Sequence, residues 1–143
     1  MHRMTFLERP LGIRRPWYVE KAGLDRRRGV FSVHLNFERG GTFACGGCGR
    51  RGCKAYDTHW KRWRHIDLFE YRTFLYAPSP RVSCPQCGIR QARLGWARPR
   101  SGFTRGLENH VAEMAGDFPV STVARLLGEH DTRLGYMLKR RQN

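Results

Sequence analysis

The sequence has no long apolar run. Nothing in its 143 residues approaches the roughly 18 uncharged apolar positions that a membrane-spanning helix needs. Its start, "MHRMTFLERP", puts a glutamate where a secretory signal would carry its apolar centre, so export is not expected. Cysteines are few and odd in number, and five do not make the even-numbered disulfide framework of a small secreted domain. Together these absences lead to the expectation of a soluble protein in a reducing compartment. Acids are scarce too, 12 against 27 lysines and arginines, which leaves a formal charge of +15. That lies well above the magnitude of ~2–8 usual for a small soluble domain. A polyanionic partner is therefore expected. Nucleic acid leads, because basic residues sit among aromatics and no basic amphipathic membrane helix is evident.

What is present begins with cysteine. Four of the five form two matched pairs, "CGGCG" at Cys45 and Cys48 and "CPQCG" at Cys84 and Cys87, with 35 residues between the pairs. Zinc takes four tetrahedral ligands, and two residues between cysteines let a tight turn aim both sulfurs at one ion. Glycine after each second cysteine tolerates positive φ, so backbone N–H groups can close on the sulfurs. Four thiolates around Zn²⁺ leave a net charge of −2, which Arg50, Arg51 and Arg90 are placed to offset. A redox CxxC, a disulfide pair and an iron–sulfur centre are the competing readings. The first needs no second pair, the second needs an oxidising compartment, and the long symmetric loop favours zinc over the third. With all four positions filled by cysteine, the expected Zn²⁺ is structural and has no open catalytic position. Cys53 reads as a small, partly buried residue, and His65 as packed or facing nucleic acid.

The chain of 143 residues makes one domain or two small ones. "VFSVHLNFE" alternates, with Phe31, Val33, Leu35 and Phe37 on one face, and "PWYVEKAGLDRRRGVF" reads as strand, turn and strand with the hairpin at residues 25–29. "HIDLFEYRTFLYA" supplies two short strands, and "RVSC" leads into the second cysteine pair. A thin core of this kind leans on metal binding, whose apparent ~10–16 kcal/mol would largely hold it together. In "HWKRWRH" aromatic and basic residues alternate. Trp63 is expected in the core, and Lys61, Arg62 and Arg64 on a nucleic-acid backbone.

Beyond "ARPRSG" the period changes. Phe103, Leu107, Val111, Met114 and Phe118 make a helical stripe that Pro119 ends. "VSTVARLLGEHDTRLGYMLKRR" then gives two short helices around Gly128, with Ser121 and Asp131 as N-caps. Val123, Leu126 and Leu127 are expected to pack against Leu134, Met137 and Leu138. This is the pattern of a helix-turn-helix, whose second helix enters the major groove. Thr132, Tyr136, Lys139 and Arg140 fall opposite the apolar side, with Arg133 at its edge, and are the candidate DNA contacts. Gly135 costs ~1 kcal/mol inside a helix relative to alanine, which only a close approach to DNA would explain.

The order of these parts resembles a known family. Cys-x2-Cys-Gly, "WRHIDL", "SPRVSCPQCG", "FTRGLENHVAEMA", "VSTVARLLG" and "DTRLGYMLKR" look like the amino-terminal region of insertion-sequence transposases of the ISL-three family, over residues 17–141. The resemblance implies that Cys45, Cys48, Cys84 and Cys87 bind zinc. It further implies that the helix from Asp131 reads DNA at the element's terminal inverted repeats, in the bacterial, nucleoid-associated cytoplasm. The family's RNase-H-like catalytic part would follow the helix-turn-helix, where this sequence ends at "KRRQN". Two-metal strand transfer needs convergent carboxylates, and the twelve acids here are scattered, so no catalytic residues and no enzyme activity are expected of this chain.

The expected architecture is α+β: a small antiparallel zinc-ribbon sheet at residues 17–97, then a three-helix helix-turn-helix bundle at 101–143. Double-stranded DNA is the expected partner, bound by one chain or a homodimer, and no membrane. A transcriptional regulator using the same DNA chemistry, and a zinc-ribbon module docking a protein or RNA, are the alternatives. An enzyme with catalytic zinc ranks last.

Overall fold

A computed structural model describes residues 5–142. A single helical turn, α1 (Thr5–Glu8), precedes six strands: β1 (Trp17–Asp25), β2 (Val30–Phe37), β3 (Thr42–Phe43), β4 (Cys53–Leu68), β5 (Tyr71–Cys84) and β6 (Gly88–Gln91). Three helices follow, α2 (Arg105–Ala115), α3 (Val120–Leu127) and α4 (Asp131–Arg141). The strands form one sheet in the order β1-β2-β5-β4-β3, with β6 also on β5. The class is α+β, as expected, and the β1–β2 hairpin turns where the sequence placed it.

The sheet is larger than a small antiparallel ribbon, and it is mixed. Strand β2 runs parallel to β5, from Val30 beside Arg72 to His34 beside Tyr76. The two short strands expected in "HIDLFEYRTFLYA" are the inner ends of strands of 16 and 14 residues. They turn at Phe69, which is 98% exposed with φ 57. Two prolines sit inside β5, where a central strand would lose ladder bonds. One edge of β5 is covered by β2 at residues 72–76 and by β6 from residue 81, and Pro78 and Pro80 fall in the gap. The Pro80 carbonyl accepts from Ala92 N–H, so its missing donor faces that gap and not β4.

The inner face of the sheet holds an aromatic core. Trp17 meets Phe37, Phe43 and Trp96 at ring distances of 5.2, 5.7 and 4.8 Å, and Trp96 meets Trp63 at 5.5 Å. Val19, Val33, Leu35 and Leu75 are fully buried beside them, each contributing about 1.5–3 kcal/mol. Trp63 is in this core as expected. Trp60, three residues earlier, is 63% exposed, because strand alternation sends it to the other face.

The helices share a second apolar cluster of Phe103, Leu107, Val111, Val123, Ala124, Leu134 and Met137. Thr104 caps α2, its hydroxyl accepting from Leu107 N–H at 3.2 Å. Some expectations fail here. Leu126 and Phe118 are exposed, because α3 turns its Val123–Ala124 side inward and α2 has already ended at Ala115, three residues before Phe118. Pro119 and not Ser121 is the N-cap residue of α3, and His130 and not Asp131 that of α4. Asp131 sits instead in the first turn of α4, where a carboxylate meets the positive end of the helix dipole. Gly128, at φ 68, makes the left-handed C-cap between α3 and α4.

Candidate zinc centre and nucleic-acid interface

The two cysteine pairs, 35 residues apart in sequence, converge at one end of the sheet. The ladder β5–β6 ends at Cys84 beside Gly88, and Cys45 bridges to Ala92 just beyond β6. The second turn is thereby folded against the first. The sulfurs of Cys45, Cys48, Cys84 and Cys87 all lie within 4.8 Å of one another, and Cys48 Sγ is 3.6 Å from Cys84 Sγ. A tetrahedron with Zn–S bonds of ~2.3 Å has edges of about 3.8 Å, so the donor set fits zinc in both chemistry and size. Gly49 and Gly88, after each second cysteine, have φ of 80 and 77, as the turns require. Gly47 N–H reaches Cys45 Sγ at 3.3 Å.

The thiols are tuned by the same turns. Backbone N–H groups of Cys87 and Gln86 hold Cys84 down at about 6 against the opposing effect of burial. Cys87 moves the other way, pushed up to about 12 by its contact with Cys48, by burial and by Cys45. Four sulfurs this close cannot all be anionic without a cation between them. Zinc would supply that charge and hold the two turns together. Cys53, the odd cysteine, is buried beside the site without joining the cluster, its thiol donating to the Arg50 carbonyl at 3.5 Å.

At the other end, α4 shows Thr132, Tyr136 and Lys139 to solvent, spaced i, i+4 and i+7 on one face, with Tyr136 72% exposed. Arg133 borders that face, its guanidinium 4.2 Å from the centre of the Phe103 ring and 3.1 Å from Glu129. Arg140 is engaged elsewhere: it donates to the carbonyls of Pro99 and Arg100 at 2.8 and 3.1 Å. Lys61 and Arg62 are both exposed but on opposite faces of β4, and Arg62 lies over the Phe74 ring at 4.6 Å.

Arg64 is a correction. It was expected on a nucleic-acid backbone and is instead 2% exposed, bonded to Asp67 at 2.9 Å and Glu129 at 3.0 Å. At this position β4 is covered by the segment entering α2. Arg64 N–H donates to the Gly102 carbonyl, and Thr104 N–H donates to the Arg64 carbonyl. Burial pushes the Glu129 carboxyl up, but Arg64 and Arg133 outweigh it and hold the group below its ordinary value. His65, left open between packed and DNA-facing, is packed. Burial lowers it to about 4, and its Nδ1 lies 2.6 Å from the Thr104 hydroxyl.

Residues 41–87, spanning all four zinc ligands, match the family described as zinc-finger of transposase IS204/IS1001/IS1096/IS1165. Residues 92–142 match the helix-turn-helix domain of transposase family ISL3. The chain carries the zinc-ribbon and helix-turn-helix domains of ISL3-family transposases. It is 34% identical over 85 residues to the transposase for insertion sequence element IS1557 of Mycobacterium tuberculosis, covering 58% of this chain and 19% of that protein. It is 34% identical over 92 residues to the transposase for insertion sequence element IS1001 of Bordetella parapertussis, covering 62% and 23%. The match thus spans about a fifth of the length of these curated relatives. No solved structure matches.

For an ISL3 zinc ribbon the tetrathiolate set is sufficient as a structural metal site. Among the described residues, no other group of three or more His, Cys, Asp or Glu side chains is placed to hold an ion. Sequence reading missed what ties the two ends together. Arg98 donates to the fully buried Glu108 at 2.6 Å, Ser101 donates to the same carboxylate at 2.6 Å, and Arg72 donates to the Gly128 carbonyl at 3.0 Å. A signal was present: residues 71–107 contain seven arginines and no acid, so those arginines must look beyond their own segment for carboxylates.

Proposed function

We propose that this chain is the part of a transposase that binds duplex DNA, at the terminal inverted repeats of its element. Strand cleavage and joining would be supplied by carboxylates outside the described residues. The observation that carries the reading is the face of α4: Thr132, Tyr136 and Lys139 stand exposed in a row while Leu134 and Met137 anchor the opposite side. A helix so anchored can enter a major groove as a unit. Within this reading α2, α3 and α4 act as a three-helix helix-turn-helix bundle over residues 101–143, and residues 17–97 as the zinc-ribbon domain. The two separate buried clusters support that division. Arg133 and Arg140 serve the bundle more than the groove, since each already has partners. Binding as a homodimer to paired repeats, beside the bacterial chromosome, belongs to the same proposal.

The test is selection of zinc-loaded protein on a random duplex pool, repeated with Tyr136→Ala and Lys139→Ala. An enriched motif is expected, with each substitution costing about 5–150-fold in affinity, the range of 1–3 kcal/mol per good contact. A motif found at element ends supports the transposase reading, and one at promoters favours a regulator. Wild-type affinity in both variants would remove α4 from the interface.

A further inference from the structure

Between the zinc turns and the helices lies a cavity of about 610 Å³. Its lining includes Lys61, Arg90, Arg93, Arg98, Arg100 and Arg105, and no acidic residue. Among the described residues only Arg98 of these six meets a carboxylate, Glu108. Five like charges around one space repel one another and would be neutralised by a polyanion threading it. A second cavity of about 460 Å³ lies beside α4, lined by Thr132, Arg133 and Tyr136, and the two are neighbours, since Arg98, Arg100 and Ser101 line both.

The segment that joins them is held in a costly shape. Arg100 has φ 62, the left-handed region that non-glycine residues avoid. A mutual clamp keeps it there: Arg98 donates to the Arg140 carbonyl, and Arg140 donates to the carbonyls of Pro99 and Arg100. The clamp uses the side chains of Arg98 and Arg140 and leaves that of Arg100 exposed between the two cavities. Arg105, the first residue of α2, adds a cation at the positive end of that helix.

We propose that this cavity is a phosphate track. Lys61, Arg93, Arg100 and Arg105 hold the backbone of a DNA strand as it passes from α4 toward the zinc turns. Recognition would then be bipartite, with base edges met by α4 and the flanking backbone fixed by residues on both sides of Arg98–Ser101. The inference rests on the reading of the chain as a duplex-binding module, and its test separates the two.

A fluorescent 30-bp duplex of mixed sequence is titrated with zinc-loaded protein at several KCl concentrations. The wild type is compared with the triple variant Arg93→Gln/Arg100→Gln/Arg105→Gln and with a control, Arg26→Gln/Arg27→Gln/Arg28→Gln, which removes the same charge from the β1–β2 turn. Each phosphate contact contributes about −0.9 to the slope of log K against log salt. The track variant is expected to flatten the slope by about 2–3, the control to leave it within about 0.5, and Arg→Lys at the three track positions to restore it. Equal slopes in track variant and control would overturn the track while leaving duplex binding standing. A wild type that binds no duplex would overturn both. Zinc stoichiometry and the far-ultraviolet spectrum of each variant show that charge, not fold, was changed.

Discussion

The two ends of this molecule reach a unique structure by different means. The sheet end is held by contacts between residues far apart in sequence: the parallel β2–β5 pairing, Trp96 packed against both Trp17 and Trp63, and two cysteine turns meeting at one point. The helical end is built from neighbours: Thr104 capping α2, Gly128 turning α3 into α4, and a small apolar cluster. The difference teaches where each end is weak. A metal-held sheet fails at a single chemical step, whereas a helical cluster of seven buried residues has too little core to stand without a neighbour.

The largest test of that contrast is removal of zinc. Chelation is expected to take away most of the ~10–16 kcal/mol that structural zinc supplies, abolishing the near-ultraviolet signal of the buried tryptophans. The helical signal at 222 nm should fall with it, since the segment leading into α2 is bonded to Arg64 of β4 through Gly102 and Thr104. Cys84→Ser should behave as the chelated protein. Helices that melt unchanged without zinc would show the helical end to be self-standing and break the comparison.

A smaller perturbation acts at the joint itself. Arg64 is buried between Asp67 and Glu129, and Glu129 also holds Arg133. Replacing one partner of a buried ion pair strands the other, and Arg64→Leu is expected to cost about 3 kcal/mol by denaturant unfolding. Neutralising the carboxylate left without Arg64 should recover part of that loss in the double variant Arg64→Leu/Glu129→Gln, and only part, because Glu129 also holds Arg133. If Arg64→Leu is neutral, the two ends are joined by packing alone, and their electrostatic tie contributes little.

How much of this was legible in sequence follows the same division. Cysteine turns and a glycine turn are local devices, so Cys45, Cys48, Cys84, Cys87 and the Gly128 turn could be read from spacing, whereas the N-caps read at Ser121 and Asp131 fall at Pro119 and His130. Trp63 reads as inward, yet its hydrophobicity equals that of Trp60, which is exposed, so strand alternation and not residue type separates the two. Arg64 was misread because a run of alternating tryptophans and arginines looks like a basic surface until something covers it. The cover is the chain near Gly102, nearly forty residues later, and of the two carboxylates that hold Arg64 only Asp67 is local, Glu129 coming later still. The parallel β2–β5 pairing likewise carries no local mark, since alternation shows that a strand exists but not which strand it joins.

The finest test is a single methyl group. Gly135 lies inside α4, three residues from Thr132 and four from Lys139, and so on the face those residues expose. A Cβ there would meet nothing within 4 Å. Gly135→Ala is therefore expected to stabilise the helix by about 1 kcal/mol, read as a rise of a few degrees in Tm. A residue that weakens its helix and fills no space in the fold makes sense where another surface must come close. The same variant should bind duplex DNA more weakly while melting higher. If it melts higher and binds equally well, α4 does not seat its backbone in the groove, and contact rests on the long side chains of Tyr136 and Lys139.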